Sequence, residues 1–261
     1  MFEKGGLFEM GNPKKNWKLV WSDEFDAPEI NRDYWNFELG YVRNAELQKY
    51  VDTPENAYIE DGCLVIEAIK TDDPDCPYTS ASLTTYGKVN FTHGRLEMRA
   101  KLPYGQGVWP AFWTLGQDIR ENPWPACGEI DIMEMVGGNN TTFATCPFND
   151  HHGDHICQAT VHYKGEPTGH VLPRAYELME GDFKDDFHVF GVDWDENCAK
   201  FYIDGVYYNK CDISELDCFD RPQYALVNIA IGGGWPGDPD ENTVFPQKYY
   251  IDYIRYYQEE K

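Results

Sequence analysis

Three carboxylates fall within the six positions Glu129-Ile130-Asp131-Ile132-Met133-Glu134, interleaved with apolar residues and preceded by Gly128. Two carboxyl groups flanking a scissile bond are the apparatus of glycoside hydrolysis: one attacks carbon or activates water, the other protonates the leaving oxygen. A separation of ~5–5.5 Å implies retention of anomeric configuration, and ~6.5–9.5 Å implies inversion. A third acid between the two would hold local charge and keep one glutamate protonated at neutral pH. The pattern also suits a solvated acidic strand edge or a calcium site, and the acids by themselves leave these readings open.

The element that must carry them has the composition of a buried strand, whose side chains alternate between faces. Glu129 and Asp131 then share a face, while Glu134, five residues after Glu129, falls on the opposite one. One extra residue taken up as a β-bulge near Ile132-Met133 restores the parity and brings all three acids together. On a regular strand the α-carbons of Glu129 and Glu134 lie ~13–16 Å apart. Both side chains must therefore lean inward on a curved strand.

The rest of the chain reads as short alternating runs separated by Gly, Pro, Asn and Asp clusters, with no amphipathic helix of three turns. Strands are expected at Trp17–Trp21, Cys63–Ile69, Arg95–Lys101, Val108–Leu115, Glu129–Met135, Ala159–Tyr163, His188–Trp194, Lys200–Ile203, Tyr224–Ile231 and Tyr250–Tyr257. Asp204-Gly205 between two apolar triplets is a hairpin signal. With no repeat and no linker, the expectation is a lead-in over residues 1–16 and one domain over 17–261. That domain is an all-β antiparallel sandwich of the β-jelly-roll type, whose curved sheet offers a groove for an extended ligand.

Composition narrows the ligand. The formal charge is −23 and the pI about 4.5, which excludes nucleic acid and anionic membranes as partners and disfavours sulfated polysaccharides. Eight Trp and 18 Tyr exceed ordinary packing needs, and exposed rings suit the flat apolar faces of neutral sugars. No run of ~18 apolar residues is present to span a membrane. Met1 to Asn16 has no apolar leader core, and the eight cysteines contain no CxxC pair.

The run Gly128–Glu134 resembles the E-I-D-I-M-E signature of glycoside hydrolase family 16, in its laminarinase-like branch of endo-1,3- and 1,3(4)-β-glucanases. The likeness extends from about Trp17 to Tyr257. It includes Trp17–Phe25 (WKLVWSDEF), Arg43–Tyr50 (RNAELQKY), Gly107–Trp113 (GVWPAFW) and Ile229–Gly237 (IAIGGGWPG). The resemblance implies a concanavalin A-like jelly roll and retaining hydrolysis of β-1,3-glucan, with mixed-linkage β-1,3-1,4-glucan as a second substrate and no cofactor for catalysis. It implies Glu129 as nucleophile, Glu134 as general acid/base and Asp131 as the residue that orients and charges the nucleophile. Sugar contacts are implied at Asn44, Glu46, Trp109, Trp113, His162, Trp194, Asn228 and Trp235.

Read as residues alone, Trp113 and Trp194 also suit core rings, whereas Gly and Pro neighbours put Trp109 and Trp235 at a rim. The family further implies a structural calcium opposite the cleft, held by Glu24, the Gly62 backbone and Asp252; ordinary surface acids fit equally. The stretch Cys146–Cys157, with His151, His152, Asp154 and His155 between the cysteines, has no family counterpart and reads as a polar loop near the cleft, closed by a disulfide if the compartment oxidises, rather than as a zinc or copper site. Polymeric substrates imply an extracellular monomer, while the cysteines and the missing leader core point to the cytoplasm. A lichenase-like enzyme specific for mixed-linkage glucan, a sulfated-galactan hydrolase and a non-catalytic β-glucan-binding protein on the same fold are the alternatives.

Overall fold

A computed structural model describes residues 15–138, 152–165 and 170–260. The strands run in chain order as β1 (Trp17–Asp23), β2 (Asn36–Phe37), β3 (Gln48–Tyr50), β4 (Ala57–Glu60), β5 (Cys63–Lys70) and β6 (Tyr78–Ser80). They continue as β7 (Ser82–Thr84), β8 (Gly94–Lys101), β9 (Val108–Gly116), β10 (Glu129–Glu134), β11 (Ile156–His162) and β12 (His170–Glu177). The last five are β13 (His188–Trp194), β14 (Cys198–Ile203), β15 (Val206–Asp212), β16 (Gln223–Ile231) and β17 (Gln247–Glu259). Every expected strand is present; the short strands β2, β3, β4, β6 and β7 and the eight-residue β12 are additional to those expected. No α-helix occurs among the described residues.

Two sheets form the all-β sandwich. One has ten strands in the order β15-β14-β13-β8-β17-β5-β6-β3, with β1 paired to β17 and β4 to β5. The other has seven, β12-β11-β10-β9-β16-β7-β2. The pairings are antiparallel apart from β3 with β6. The hairpin joining β14 to β15 turns through Asp204 (φ 50°) and Gly205 (φ 77°), the left-handed pair that a two-residue turn requires.

Alternation fills the space between the sheets. Leu96, Met98 and Ala100 of β8 face inward and meet Phe112 of β9, Ile130 of β10, Val161 of β11 and Val227 of β16 in one buried core. In β9, Ala111, Trp113 and Leu115 point the other way and form a second apolar cluster with Tyr224 and Leu226. These strands are covered on both faces, which is why their sequences read as nearly continuous apolar runs. Ile130, Ile132 and Met133 are 0–1% exposed. Each contributes about 1.5–3 kcal/mol relative to exposure, so the acid-bearing strand is held by the face its acids do not use.

Candidate active site

Register proves the bulge. Against β9, Glu129 pairs with Leu115, Asp131 with Trp113 and Glu134 with Ala111, with a shift between Asp131 and Met133. Partners at 115, 113 and 111 share one face, so Glu129, Asp131 and Glu134 share it too. Against β11 the same three acids oppose His162, Thr160 and Gln158, again every second residue. Ile132 is the extra residue with no partner on either side. Measured on β9, the glutamates are four positions apart, which brings their α-carbons to the short end of the expected range, ~13 Å.

The acids line a cleft of about 410 Å³ on the seven-stranded sheet. Asp131 is only 3% exposed and the Glu129 side chain 15%. Burial first, then the charge of Asp131, pushes Glu129 up to about 8. Burial likewise pushes Asp131 up to about 7. Glu134 is raised well above its ordinary value by burial, with Asp131 the next cause. A carboxyl raised in this way holds its proton more tightly than an ordinary glutamate does. His162 Nε2 lies 3.2 Å from Asp131 Oδ2 and 3.9 Å from Glu129 Oε1, so the histidine belongs to the acid cluster as much as to a sugar subsite.

Each glutamate also meets an indole. Trp109 Nε1 donates to Glu134 Oε1 at 3.2 Å, and Trp124 Nε1 donates to Glu129 Oε2 at 2.9 Å. Trp235 packs edge-on against Trp109 with ring centroids 5.0 Å apart, and His152 packs in turn against Trp235.

Cross-strand rows make the two ends of the cleft different. The Glu129 row continues through Leu115 to Tyr224, and Ile119 packs against this apolar end. The Glu134 row continues through Ala111 to Asn228 and is polar. Trp113 Nε1 donates to Asn228 Oδ1 (2.8 Å), and Asn228 Nδ2 donates to the Tyr50 hydroxyl (3.1 Å). Glu46 accepts from Gln48 (2.6 Å), Asn44 (3.2 Å) and Tyr50 (3.4 Å), and burial raises its carboxyl above the ordinary range. Asn44 and Ala45 both adopt left-handed backbone, with φ 55° and 53°. Gly233 lies under that turn: a Cβ there would meet the Asn44 carbonyl oxygen at 3.0 Å.

Of the sequence-derived contacts, Asn44, Glu46, Trp109, Trp113 and Asn228 line the cleft, and Trp235 and His162 adjoin it. Trp194 requires correction. It is 2% exposed at the end of β13 in the ten-stranded sheet and belongs to the core between the sheets. The calcium set is also corrected. Glu24 receives a two-pronged pair of bonds from Arg255 (2.9 and 2.7 Å), and Asp252 is bound by Arg99 (2.7 Å). Carboxylates neutralised by guanidinium groups do not fit a calcium cage, and no catalytic step uses one.

Among the described residues, the grouping of three acidic or imidazole side chains close enough to hold an ion is Glu129, Asp131 and His162, within 4.8 Å of one another. In the Cys146–Cys157 stretch, Cys146 and His151 lie outside the described residues. Asp154 Oδ1 accepts from the backbone of Gly105 (2.8 Å) and Gly138 (3.1 Å), and Cys157 is a free thiol in the core. Asp154 ties loops together and Cys157 faces away from any ligand.

Arg43 and Trp124 are among the cleft residues absent from the sequence-derived set. Arg43 stacks over Trp113 at 4.9 Å and is paired to Glu38, so the cleft's cation is already neutralised. Trp124 precedes Pro125, the same signal that put Trp109 and Trp235 at a rim, and would have been found by applying it evenly.

Buried carboxyls of raised proton affinity above an aromatic floor, on one sheet of a jelly roll, fit a glycoside hydrolase. The chain belongs to the glycosyl hydrolases family 16, which it matches over residues 44–255. Its fold superimposes on the laminarinase catalytic domain of Thermotoga maritima with a TM-score of 0.83 at 43% identity, covering 95% of this chain and 100% of that one. LamA from Z. galactanivorans, in complex with laminaritriose and laminaritetraose, gives a TM-score of 0.78 at 31% identity over 92% of this chain and 98% of that one. The glucan endo-1,3-beta-glucosidase A1 of Niallia circulans is 33% identical over 93% of this chain, and the chain spans 38% of its length.

Proposed function

We infer that the chain is a retaining endo-β-glucanase that cuts internal β-1,3 linkages of laminarin-type glucan and accepts mixed-linkage β-1,3-1,4-glucan as a second substrate. The carrying observation is the bulge at Ile132, which gives Glu129, Asp131 and Glu134 a common face within one cleft. Glu129 attacks the anomeric carbon as Glu134 transfers its proton to the leaving oxygen. Glu134, now the base, takes a proton from water, which releases the sugar from Glu129. Between these steps Glu129 is esterified and uncharged; before attack and after release, His162 lies beside its free carboxylate and Asp131 orients it. Trp113 and Trp109 carry sugar faces, and Asn44, Glu46 and Asn228 bind hydroxyls beside the Glu134 end. Binding energy from remote sugars then serves to distort the reacting unit.

Product analysis on laminarin, barley mixed-linkage glucan and lichenan in parallel tests the substrate class. Early products from laminarin should be β-anomers by proton NMR; α-anomers would refute retention. With an activated aryl β-glucoside, whose leaving group needs no protonation, azide should restore turnover to Glu134→Ala and give a β-glycosyl azide. A wild-type protein that binds laminarin yet matches Glu129→Gln in releasing no sugar would be a binding protein instead.

A further inference from the structure

We propose that Trp124 is a positioning residue for the nucleophile: its indole N–H tethers Glu129 Oε2 and holds the carboxylate in its attacking orientation. The bond is 2.9 Å long and comes from the loop before β10, independently of the strand that carries Glu129. Another side-chain hydrogen bond to Glu129 comes from Asp131, on its own strand. Leu115, opposite on β9, is apolar, and His162 on β11 approaches the other oxygen, Oε1, at 3.9 Å. The titratable groups around Glu129 are Asp131, Glu134, His162 and the Cys127 thiol. Two of them are acids that repel its charge, so a fixed donor to Oε2 favours the ionised form that attacks.

Exposure makes the contact responsive to substrate. Trp124 is 56% exposed and lines the cleft, with its ring 6.2 Å from that of His162. A sugar lying over the ring removes water from the N–H···O bond, which strengthens it in the bound complex. Trp109 makes the corresponding bond to Glu134 but longer, at 3.2 Å. The two glutamates are thus tethered by separate indoles from separate segments, one for each role.

The inference rests on the hydrolase reading and is separable from it. Trp124→Phe keeps an aromatic platform and removes only the N–H, whereas Trp124→Ala removes both. With laminarin, the Phe variant is expected to lose roughly 10-fold or more in kcat with KM changed less than about threefold. The acid limb of its kcat/KM profile should move to higher pH, because loss of a donor disfavours the anion. The Ala variant should lose kcat likewise and raise KM in addition. Labelling of Glu129 by an epoxyalkyl β-glucoside should slow in both variants. A Phe variant with wild-type kcat, acid limb and labelling rate overturns the proposal and leaves Trp124 a sugar platform. Absence of hydrolysis by the wild type would instead fail the hydrolase reading.

Discussion

The two sheets treat their acids in opposite ways. In the ten-stranded sheet, Asp193 receives Arg95 through Nε (2.7 Å) and Nη2 (2.9 Å), Glu24 receives Arg255, and Asp252 receives Arg99. In the seven-stranded sheet, Glu129, Asp131 and Glu134 have His162 and two indole N–H groups but no guanidinium. Even Arg43, which reaches the same cleft, is paired to Glu38. An acid paired to a guanidinium fastens strands together; a buried acid without one has its proton affinity raised. The difference separates structural acids from reactive ones more sharply than their position on a strand.

Replacing a reactive acid should remove activity and spare the fold. Glu129→Gln is expected to lower kcat on laminarin by about 10⁴-fold or more, with a melting temperature no lower than wild type, because a destabilising buried charge is gone. The pH dependence of stability tests the same point. A carboxyl raised to about 8 in the folded protein binds a proton that the unfolded chain releases near its ordinary value of 4.5. Its contribution to stability is therefore complete below that ordinary value and declines as pH rises toward 8. Glu24, lowered by Arg255, works in the opposite direction: its contribution is present above 4.5 and is lost as pH falls. Denaturant titrations at several pH values should show the alkaline decline in wild type and a flatter curve in Glu129→Gln. Equal slopes would break the comparison.

Tryptophans sharpen it next. Trp194→Ala should cost about 3–5 kcal/mol of stability in urea unfolding, through lost core packing, while KM for laminarin stays at the wild-type value. Trp113→Ala should raise KM. A raised KM in the Trp194 variant would return that ring to the sugar path. Asp193→Asn should cost about 2–3 kcal/mol by leaving the Arg95 guanidinium poorly paired, with kcat unchanged at a temperature where the fold is intact. The smallest effect is expected at Arg99→Ala, whose pair with Asp252 is over a third exposed on both sides. Its melting curve should shift by less than about 1 kcal/mol.

Much of this site is local in origin and therefore readable. The odd offset between Glu129 and Glu134 demanded a bulge, and the register shift at Ile132 is that bulge. The Trp113 and Trp194 segments, by contrast, look alike along the chain: each ring sits on a strand among apolar neighbours. They part because β9 pairs with β10 and β16, whereas β13 pairs with β8 and β14. Nothing in their local sequences encodes those partners. The polar end of the cleft is equally non-local, since Asn228 reaches Tyr50 across 178 positions. The calcium set failed for the same reason: Arg255 reaches Glu24 from 231 positions away.

By itself, the sequence determined what depends on chain periodicity: the strands, the need for an inserted residue on β10, the motif-bearing acids and the acidic surface that suits a neutral polymer. Tertiary structure alone decided which rings face the cleft, which acids meet arginine and which donor each glutamate receives. Alternation is a property of neighbours along the backbone. Solvation and pairing of a charge depend on groups that folding brings within a few ångströms, and proton affinity follows from those.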